Sequence, residues 1–148
     1  MIMNRIKNVF IFGLCIIVIC GFAVAEDLIR MDESMSIDSF SWGRIVIGEK
    51  AIYTDVIILP DGVVRQRETA ARHFLTAEDI QDLLSSNPDI FILGNGVYGR
   101  MNLSGELSQE MQDKGIQVLI LRTPKAVKKF QELRSKDKKV SAYFHITC

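Results

Sequence analysis

The stretch Asp89-Ile-Phe-Ile-Leu-Gly-Asn-Gly-Val-Tyr-Gly99 decides how the rest of the chain is arranged. Its apolar residues 90–93 follow one another without alternation, which is typical of a strand covered on both faces in a parallel sheet. The run then ends at Gly94, Gly96 and Gly99, where the backbone can turn sharply or approach another group closely. This stretch therefore predicts an inner strand followed by a glycine turn at the rim of a sheet.

Helical patterns and short apolar runs alternate on both sides of this strand. Apolar residues at helical spacing predict helices that begin near Thr76, Gly105 and Thr123, with Thr123 as the N-cap of the last one. Continuous apolar runs predict strands over 117–121 and 140–146. Such alternation is typical of a parallel sheet with crossover helices.

The N-terminal part of the domain has a different pattern. Apolar runs over 42–47, 52–59 and 63–67 are separated by the turn signals Gly48-Glu-Lys50 and Pro60-Asp-Gly62. Strands so close in sequence pair most simply with their neighbours, so they predict an antiparallel meander. The whole sequence predicts a three-layer α/β fold, with a mixed, mostly parallel central sheet and an additional small N-terminal antiparallel β-layer.

The first 25 residues have the three-part layout of a secretory signal peptide. Arg5 and Lys7 precede a long apolar run, and Ala23-Val-Ala25 supplies a small-x-small cleavage site. An uncleaved membrane anchor is the alternative, because the uncharged run is close to the shortest length that spans a bilayer, roughly 17–25 residues. A mitochondrial presequence is less favoured, because such segments are amphipathic rather than continuously apolar.

The chain is therefore expected to have three parts. Residues 1–25 form the signal peptide or anchor, residues 26–36 a polar tether, and residues 37–148 a single α/β domain. We expect the domain to be exported to the periplasm or the outside of the cell, or to stay anchored to the membrane.

The charge balance of the mature chain excludes one class of partner. Removing residues 1–25 takes two basic residues from 18, so 16 basic residues face 18 acidic ones and the net charge is −2. No basic excess remains to neutralise phosphates, which argues against nucleic-acid binding. Contact with a membrane is expected only through residues 1–25, if they are not cleaved.

The glycines at 94, 96 and 99 fit the G-x-G-x-x-G spacing of dinucleotide-binding turns. No helical periodicity follows them, however, and the next strand ends at Arg122 rather than at an acidic residue that could hold a ribose. We therefore expect a structural loop that lines a pocket, and no cofactor. Arg122 is suited to a bidentate contact with an anion beside the start of a helix.

Two histidines, His73 and His145, and one cysteine beyond the N-terminal segment, Cys148, are candidates for chemistry. They lack the spacing of a zinc site, so no metal is expected. A nucleophilic pair of Cys148 with either histidine remains an alternative. A position at a chain end argues against it, because such residues are usually too mobile for catalysis unless the last strand holds them.

The carboxylates offer no catalytic pair. Asp55, Asp61 and Asp79 are each accounted for by turns or helix caps. The sequence contains neither a Gly-x-Ser-x-Gly nor a Walker-type motif. A non-catalytic role is therefore favoured.

Seven short motifs follow one another in order: Ser41-Trp-Gly-Arg-Ile-Val-Ile47, Tyr53-x-Asp-Val56, Pro60-Asp-Gly62, Arg67 with His73, Gly94-x-Gly96, Thr123-x-x-Ala-Val127 and Phe144-His-x-Thr-Cys148. Over residues 37–148 they resemble a domain-of-unknown-function family that includes mitochondrial complex I assembly factor 3 and the adipogenesis-associated domain protein, with bacterial and archaeal relatives. The resemblance implies a three-layer α/β fold, roles in assembly or regulation, no established enzymatic activity, and a pocket near the glycine turn.

These observations together favour a non-catalytic, exported or membrane-tethered domain that binds a protein partner or a small anionic ligand. Its pocket is expected at the carboxyl edge of the parallel strands, lined by Gly94, Asn95, Gly96, Arg122, Thr123 and His73. Two alternatives stay open. One is an assembly factor for a membrane complex of the respiratory type, and the other is a thiol- or nucleotide-dependent enzyme that uses Cys148 or the loop 94–99.

Overall fold

The computed structural model describes residues 29–32, 36–68 and 73–148. The predicted signal peptide or anchor over 1–25 lies outside these ranges. Within them, no helix is long and apolar enough to cross a membrane. A short 3₁₀ turn over Glu78–Ile80 leads into the first α-helix, and the elements in chain order are β1 (Ile29–Arg30), β2 (Ile37–Ser41), β3 (Arg44–Ile47), β4 (Lys50–Ile52), β5 (Asp55–Ile58), β6 (Val63–Arg67), β7 (Phe74–Leu75), α1 (Gln81–Ser85), β8 (Ile90–Asn95), β9 (Asn102–Leu103), α2 (Gly105–Asp113), β10 (Gln117–Leu121), α3 (Thr123–Arg134) and β11 (Val140–His145).

The main sheet of the described chain has the strand order β1-β6-β5-β11-β8-β10. Strand β8 lies between β11 and β10 and runs parallel to both. Phe91, Ile92 and Leu93 are fully buried, so the predicted inner strand is confirmed. The predicted mixed sheet is confirmed too, but its parallel part is limited to these three strands. The other pairings are antiparallel, and one of them joins β5 to β6, which enter the sheet as a tightly connected hairpin.

Each face of the main sheet has its own apolar layer, because successive side chains of a strand point to opposite faces. On one face, Ile92 and Phe144 pack with α3 and with the small antiparallel sheet of β2, β3 and β4. On the other face, Phe91 and Tyr143 pack with the apolar sides of α1 and α2. The three-layer arrangement and the additional β-layer are therefore confirmed. A two-residue parallel pairing of β7 with β9 was not predicted.

The run predicted as one strand over 52–59 forms two strands in two sheets, and this part of the prediction was wrong. Strand β4 ends at Ile52 and pairs with β3, whereas β5 begins at Asp55 and pairs with β6 and β11. The break falls at Tyr53, which is exposed, and Thr54, where the backbone bends. The β-branched residues of the run favour extended backbone, but they do not specify which sheet a strand joins.

Two further boundaries differ from the sequence prediction. Trp42 and Gly43 were predicted to open a strand but form the turn between β2 and β3, with Gly43 at φ 72°. Part of the predicted tether over 26–36 belongs to the domain, because β1 pairs with β6. Met31 is buried there, and its N–H donates to the Gly62 carbonyl oxygen at 2.6 Å. Burial of Met31, with Ile29 packed against the same core, holds a mostly polar segment on the sheet.

Thr123 connects three elements at the carboxyl end of the parallel strands. It is the first residue of α3, while Arg122 rather than Thr123 occupies the N-cap. The buried Thr123 hydroxyl accepts the Gly96 N–H at 2.9 Å and donates to the His145 carbonyl oxygen at 2.7 Å. One side chain therefore fixes the glycine turn after β8, the start of α3 and the end of β11 relative to one another.

We expect Thr123→Val to destabilise the domain by about 2–4 kcal/mol, because two buried backbone groups lose their partner at roughly 1–3 kcal/mol each. Thr123→Ser keeps the hydroxyl and loses one methyl group, so its cost should be about 1 kcal/mol. Urea unfolding of both variants measures the difference. A loss in Thr123→Val no larger than the loss in Thr123→Ser would show that the two hydrogen bonds of the hydroxyl do not stabilise the domain.

Candidate functional site

The end of β11 lies beside the start of β5, and this contact brings three titratable side chains into one line. Asp55 opens β5 and is fully buried, and His145 closes β11 and is 2% exposed. The Nδ1 atom of His145 is 2.8 Å from Asp55 Oδ2, and its Nε2 atom is 3.5 Å from Cys148 Sγ. A single imidazole ring therefore joins a buried carboxylate to a thiol.

Two further donors hold the Asp55 carboxylate in place. The Tyr143 hydroxyl donates to Oδ2 at 2.8 Å, and the Ile146 N–H donates to Oδ1 at 3.1 Å. Burial and the nearby charge of Asp55 raise the pKa of Tyr143 far above its ordinary value, so Tyr143 stays a hydrogen-bond donor. The carboxylate is thus positioned from several sides, and its position in turn orients the His145 ring.

The environment of His145 favours its charged form. Burial by itself disfavours an imidazolium and lowers the pKa of His145. The hydrogen bonds to Asp55 and Cys148, together with their negative charges, outweigh burial, so the pKa of His145 is raised overall.

The environment of Cys148 favours the thiolate. The hydrogen bond to His145 is the largest influence and lowers the pKa of the Cys148 thiol, while burial is the second largest and acts in the opposite direction. The Thr147 hydroxyl and the positive charges of His145 and Arg100 lower it further. The shifts at the two residues therefore both favour a thiolate–imidazolium pair.

The glycine turn supports the backbone next to the thiol. The Val97 N–H donates to the Thr147 carbonyl oxygen at 2.9 Å. Gly96 has φ 94°, and a Cβ at this position would collide with the carbonyl oxygen of Cys148. A residue without a side chain is required here, because the backbone of 147–148 packs directly on the turn.

Four of the six residues expected to line a pocket gather at this place: Gly94, Asn95, Gly96 and Thr123. A Cβ on Gly94 would meet the Phe144 ring at 2.8 Å, and Asn95 is in register with His145. The backbone of Gly96 and Thr123 is engaged within the fold, since the Thr123 N–H donates to the Gly96 carbonyl oxygen at 3.1 Å.

The backbone N–H groups at the start of α3 are likewise hydrogen-bonded within the fold. Pro124 has no N–H, and the N–H groups of Lys125 and Ala126 bond to the Arg122 carbonyl oxygen at 2.8 and 2.9 Å. In the described structure, the first turn of α3 therefore has its backbone donors already paired. An anion at this position would have to rely on side chains.

The other two expected residues lie on the surface. Arg122 is exposed beside the turn, with its Cγ 3.7 Å from the position that a Cβ on Gly99 would occupy. His73 is also exposed, and its carbonyl oxygen accepts the Asn102 N–H at 2.9 Å. No described contact joins His73 to the other five residues. Ligand binding by this set stays a prediction.

A cavity of about 850 Å³ lies away from this site, at the carboxyl end of α3. Arg30, Asp61, Arg134 and Lys139 are among the residues that line it. The length of α3, at about 1.5 Å per residue, separates it from the glycine turn at the other end of the helix. Its lining contains none of the residues expected to form a pocket.

Asp55 and Tyr143 are the site residues that the sequence analysis did not select. Asp55 was explained as a turn residue, although a carboxylate that opens an apolar strand is a signal in itself. A charge there is costly unless partners surround it. The pairing of Cys148 with His145 was considered and disfavoured on the ground of mobility. Strand β11 and the glycine turn supply the support that such a pair requires.

Known proteins share this fold. A crystal structure of a conserved hypothetical protein from Pyrococcus horikoshii OT3 is 28% identical, covers 76% of this chain and 99% of that chain, and superposes with a TM-score of 0.69. The crystal structure of an outer membrane protein from Bartonella henselae has 24% sequence identity to this chain and a TM-score of 0.66. The match covers 76% of this chain and 94% of that chain. The solution structure of a Bordetella pertussis protein, a Mth938-like domain, has 16% sequence identity to this chain and a TM-score of 0.58. The match covers 78% of this chain and 90% of that chain.

A family profile matches almost the whole domain. It is the profile described as "Protein of unknown function (DUF498/DUF598)", and it covers residues 37–145. This range includes Asp55, Tyr143 and His145. The match confirms the resemblance that the sequence motifs indicated, and the chain belongs to the DUF498/DUF598 family.

Proposed function

We propose that this domain acts through Cys148 as a nucleophilic thiol, with His145 as its base and Asp55 as the residue that orients the base. One observation carries the proposal: the His145 ring lies 2.8 Å from Asp55 Oδ2 and 3.5 Å from Cys148 Sγ. A nucleophile, a base and an orienting carboxylate in this order are the general arrangement of covalent catalysis. Among the alternatives left open by the sequence, the geometry best supports a thiol-dependent enzyme.

The buried carboxylate selects the tautomer of His145. When Nδ1–H donates to Asp55, the neutral ring directs the Nε2 lone pair toward Cys148 Sγ at 3.5 Å and the Thr147 hydroxyl at 3.2 Å, an assignment that follows from the hydrogen-bond partners. The ring is then able to take the thiol proton. The raised pKa of His145 and the lowered pKa of Cys148 both favour this transfer, and the thiolate is the reactive form of cysteine.

Burial decreases from Asp55 to Cys148, which suits an orienting carboxylate inside the protein and a nucleophile at its surface. Asp55 and His145 are buried, whereas Cys148 is partly exposed. The charged hydrogen bond between Asp55 and His145 is therefore shielded from water, which strengthens it. The thiol at the end of the line remains accessible to a substrate.

The step that this arrangement serves is attack on an activated acyl group, such as an ester or a thioester. Cys148 Sγ forms a bond to the carbonyl carbon, the bond from that carbon to the leaving oxygen or sulfur breaks, and the leaving group takes the proton from His145 Nε2. Water then cleaves the acyl–sulfur bond, with His145 again as the base. An internal disulfide cycle is less favoured, because Cys148 is the one free cysteine in the described residues.

We expect Cys148 to react with iodoacetamide with an apparent pKa below about 8.5, the value of a free cysteine. His145→Gln removes the base and should raise that apparent pKa. Because the thiolate reacts, the rate profile should move to higher pH, and alkylation at pH 7 should slow by about three- to tenfold. Peptide-resolved mass spectrometry from about pH 5 to about pH 9 follows Cys148 separately from Cys15 and Cys20.

The matched control is His73→Gln, which removes the other histidine, exposed and without a described contact to Cys148. It should leave the profile unchanged. Asp55→Asn should move the profile in the same direction as His145→Gln, because the ring loses its charged acceptor. A profile that is the same in the wild type and in a folded His145→Gln variant, with folding checked by thermal melting, would refute the proposal.

Acyl transfer has a separate test. We expect p-nitrophenyl acetate to release about one equivalent of p-nitrophenol in a burst and to leave an acetyl group on Cys148, because acylation precedes slower hydrolysis. Cys148→Ser should lose both the burst and the modification. If Cys148 is alkylated with a lowered pKa but is not acetylated, the thiol is activated for a different electrophile, and the acyl-transfer step is wrong.

The N-terminal segment supports a proposal about location. We propose that residues 1–25 direct export and that the domain works in the periplasm or outside the cell, with a retained anchor as the alternative. The basic start, the apolar run and Ala23-Val-Ala25 support this reading. Binding of a protein partner, and a role in assembling a membrane complex, likewise stay proposals here.

N-terminal sequencing of the native protein tests the location. We expect the mature chain to begin at Glu26, because a signal peptidase cleaves after a small-x-small sequence. Recovery of Met1 from a membrane fraction would instead show that the segment is retained as an anchor.

A further inference from the structure

Three large aromatic side chains are exposed near the end of β11. Trp42 is 66% exposed, and Tyr53 and Tyr98 are each 67% exposed. Aromatic side chains contribute large apolar areas when they are buried, so leaving several of them in water forgoes that stabilisation. A cluster of exposed aromatics therefore indicates a surface that another molecule covers.

Two of these residues lie at one end of the small sheet, next to the backbone that leads to the thiol. The Gly43 N–H, adjacent to Trp42, donates to the Ile146 carbonyl oxygen at 2.7 Å. Tyr53 lies two residues before Asp55, whose Oδ1 accepts the Ile146 N–H. Trp42, in the turn between β2 and β3, and Tyr53, between β4 and β5, are thus both close in sequence to groups that bond to the backbone of Ile146.

The third aromatic residue approaches from the glycine turn. Tyr98 follows Val97, whose N–H donates to the Thr147 carbonyl oxygen at 2.9 Å. Arg100, two residues farther along, is near enough for its positive charge to lower the pKa of Cys148. Each aromatic residue is therefore within two residues of a group that hydrogen-bonds to the backbone of Ile146 or Thr147.

Three exposed arginines lie beside these aromatics. Arg44, Arg100 and Arg122 are exposed, and none of them has an ion-pair partner among the described residues. The segments 41–44 and 95–101 contain no acidic residue. The three arginines therefore have no acidic residue within their own segments or beside Arg122, and the nearest exposed acidic residue along β6 is Glu68, which follows Arg67 in register with Asp55.

We propose that these residues form a docking surface for a protein partner, which binds through a segment of apolar and acidic side chains. We call it the aromatic–arginine surface, and it consists of Trp42, Arg44, Tyr53, Tyr98, Arg100 and Arg122. Trp, Tyr and Arg are the residue types that contribute most of the binding energy at protein interfaces. Arg pairs bidentately with carboxylates, and complementary charge selects an acidic partner. This inference does not depend on the chemistry of Cys148, but a bound partner would cover the thiol.

A library of random linear peptides displayed on phage, selected against the immobilised full chain, is the probe. We expect selected peptides to combine Asp or Glu with Trp, Phe or Leu. A synthetic peptide of the selected sequence should bind at least about tenfold more weakly to Trp42→Ala and to Arg122→Glu, as expected for residues at the centre of an interface. Lys128→Glu is the matched charge control, because Lys128 is exposed on α3, and it should change binding by less than about twofold.

Thermal melting should match the wild type in these variants, because the replaced side chains are exposed. The peptide should also slow the alkylation of Cys148, and it should still bind to Cys148→Ser, which separates docking from thiol chemistry. Peptides without acidic residues, binding that Trp42→Ala leaves intact, or no selected peptide would each overturn the proposal. Self-association of the full chain in light scattering, lost in Trp42→Ala, would overturn it in favour of a second copy of the chain.

Discussion

The structure depends on the requirement that a buried carboxylate must be surrounded by donors. Asp55 has no exposed surface, and leaving its charge without partners would cost several kcal/mol. Its donors come from Tyr143, His145 and Ile146, all at the end of β11. The pairing of β5 with β11 therefore supplies donors to the Asp55 carboxylate as well as backbone hydrogen bonds between the two strands. The same carboxylate that is costly to bury becomes the group that orients His145.

A second set of contacts gives the thiol a fixed position. Thr123 links the glycine turn to the end of β11. The backbone of Thr147 and Cys148 packs on this turn at Gly96, where a side chain would not fit. Without these contacts, a cysteine three residues beyond a strand would be free to move. Rigid support of this kind is what distinguishes a reactive group from a catalytic one.

The sequence predicted the features that depend on local pattern. The inner strand β8 and the helices with their apolar sides, such as Leu107 and Met111 on α2, could both be predicted from spacing and residue type. The break at Tyr53 could not be predicted, because the choice between two sheets is made by distant residues. The family resemblance indicated the correct fold without indicating which of its residues meet in space.

The site was predicted only in part, for the same reason. A pair of Cys148 with either His73 or His145 was kept only as a disfavoured alternative, and the partner that orients the His145 ring lies 90 residues earlier in the chain. Asp55 looked like a turn residue because its neighbours in sequence explained it. The glycine turn was expected to line a ligand pocket, which stays a prediction, but its contact with the protein's own backbone at Cys148 was not foreseen. Spacing along the chain reveals such a glycine but not the group that approaches it.

The place of β11 in the sheet has a consequence for how the chain folds. It lies between β5 and β8, yet it is made after both, so the ribosome releases two halves of a sheet before the strand that joins them. Until then both halves have open edges, which are prone to pair with other chains. The order of synthesis thus delays completion of the core until β11 has been made.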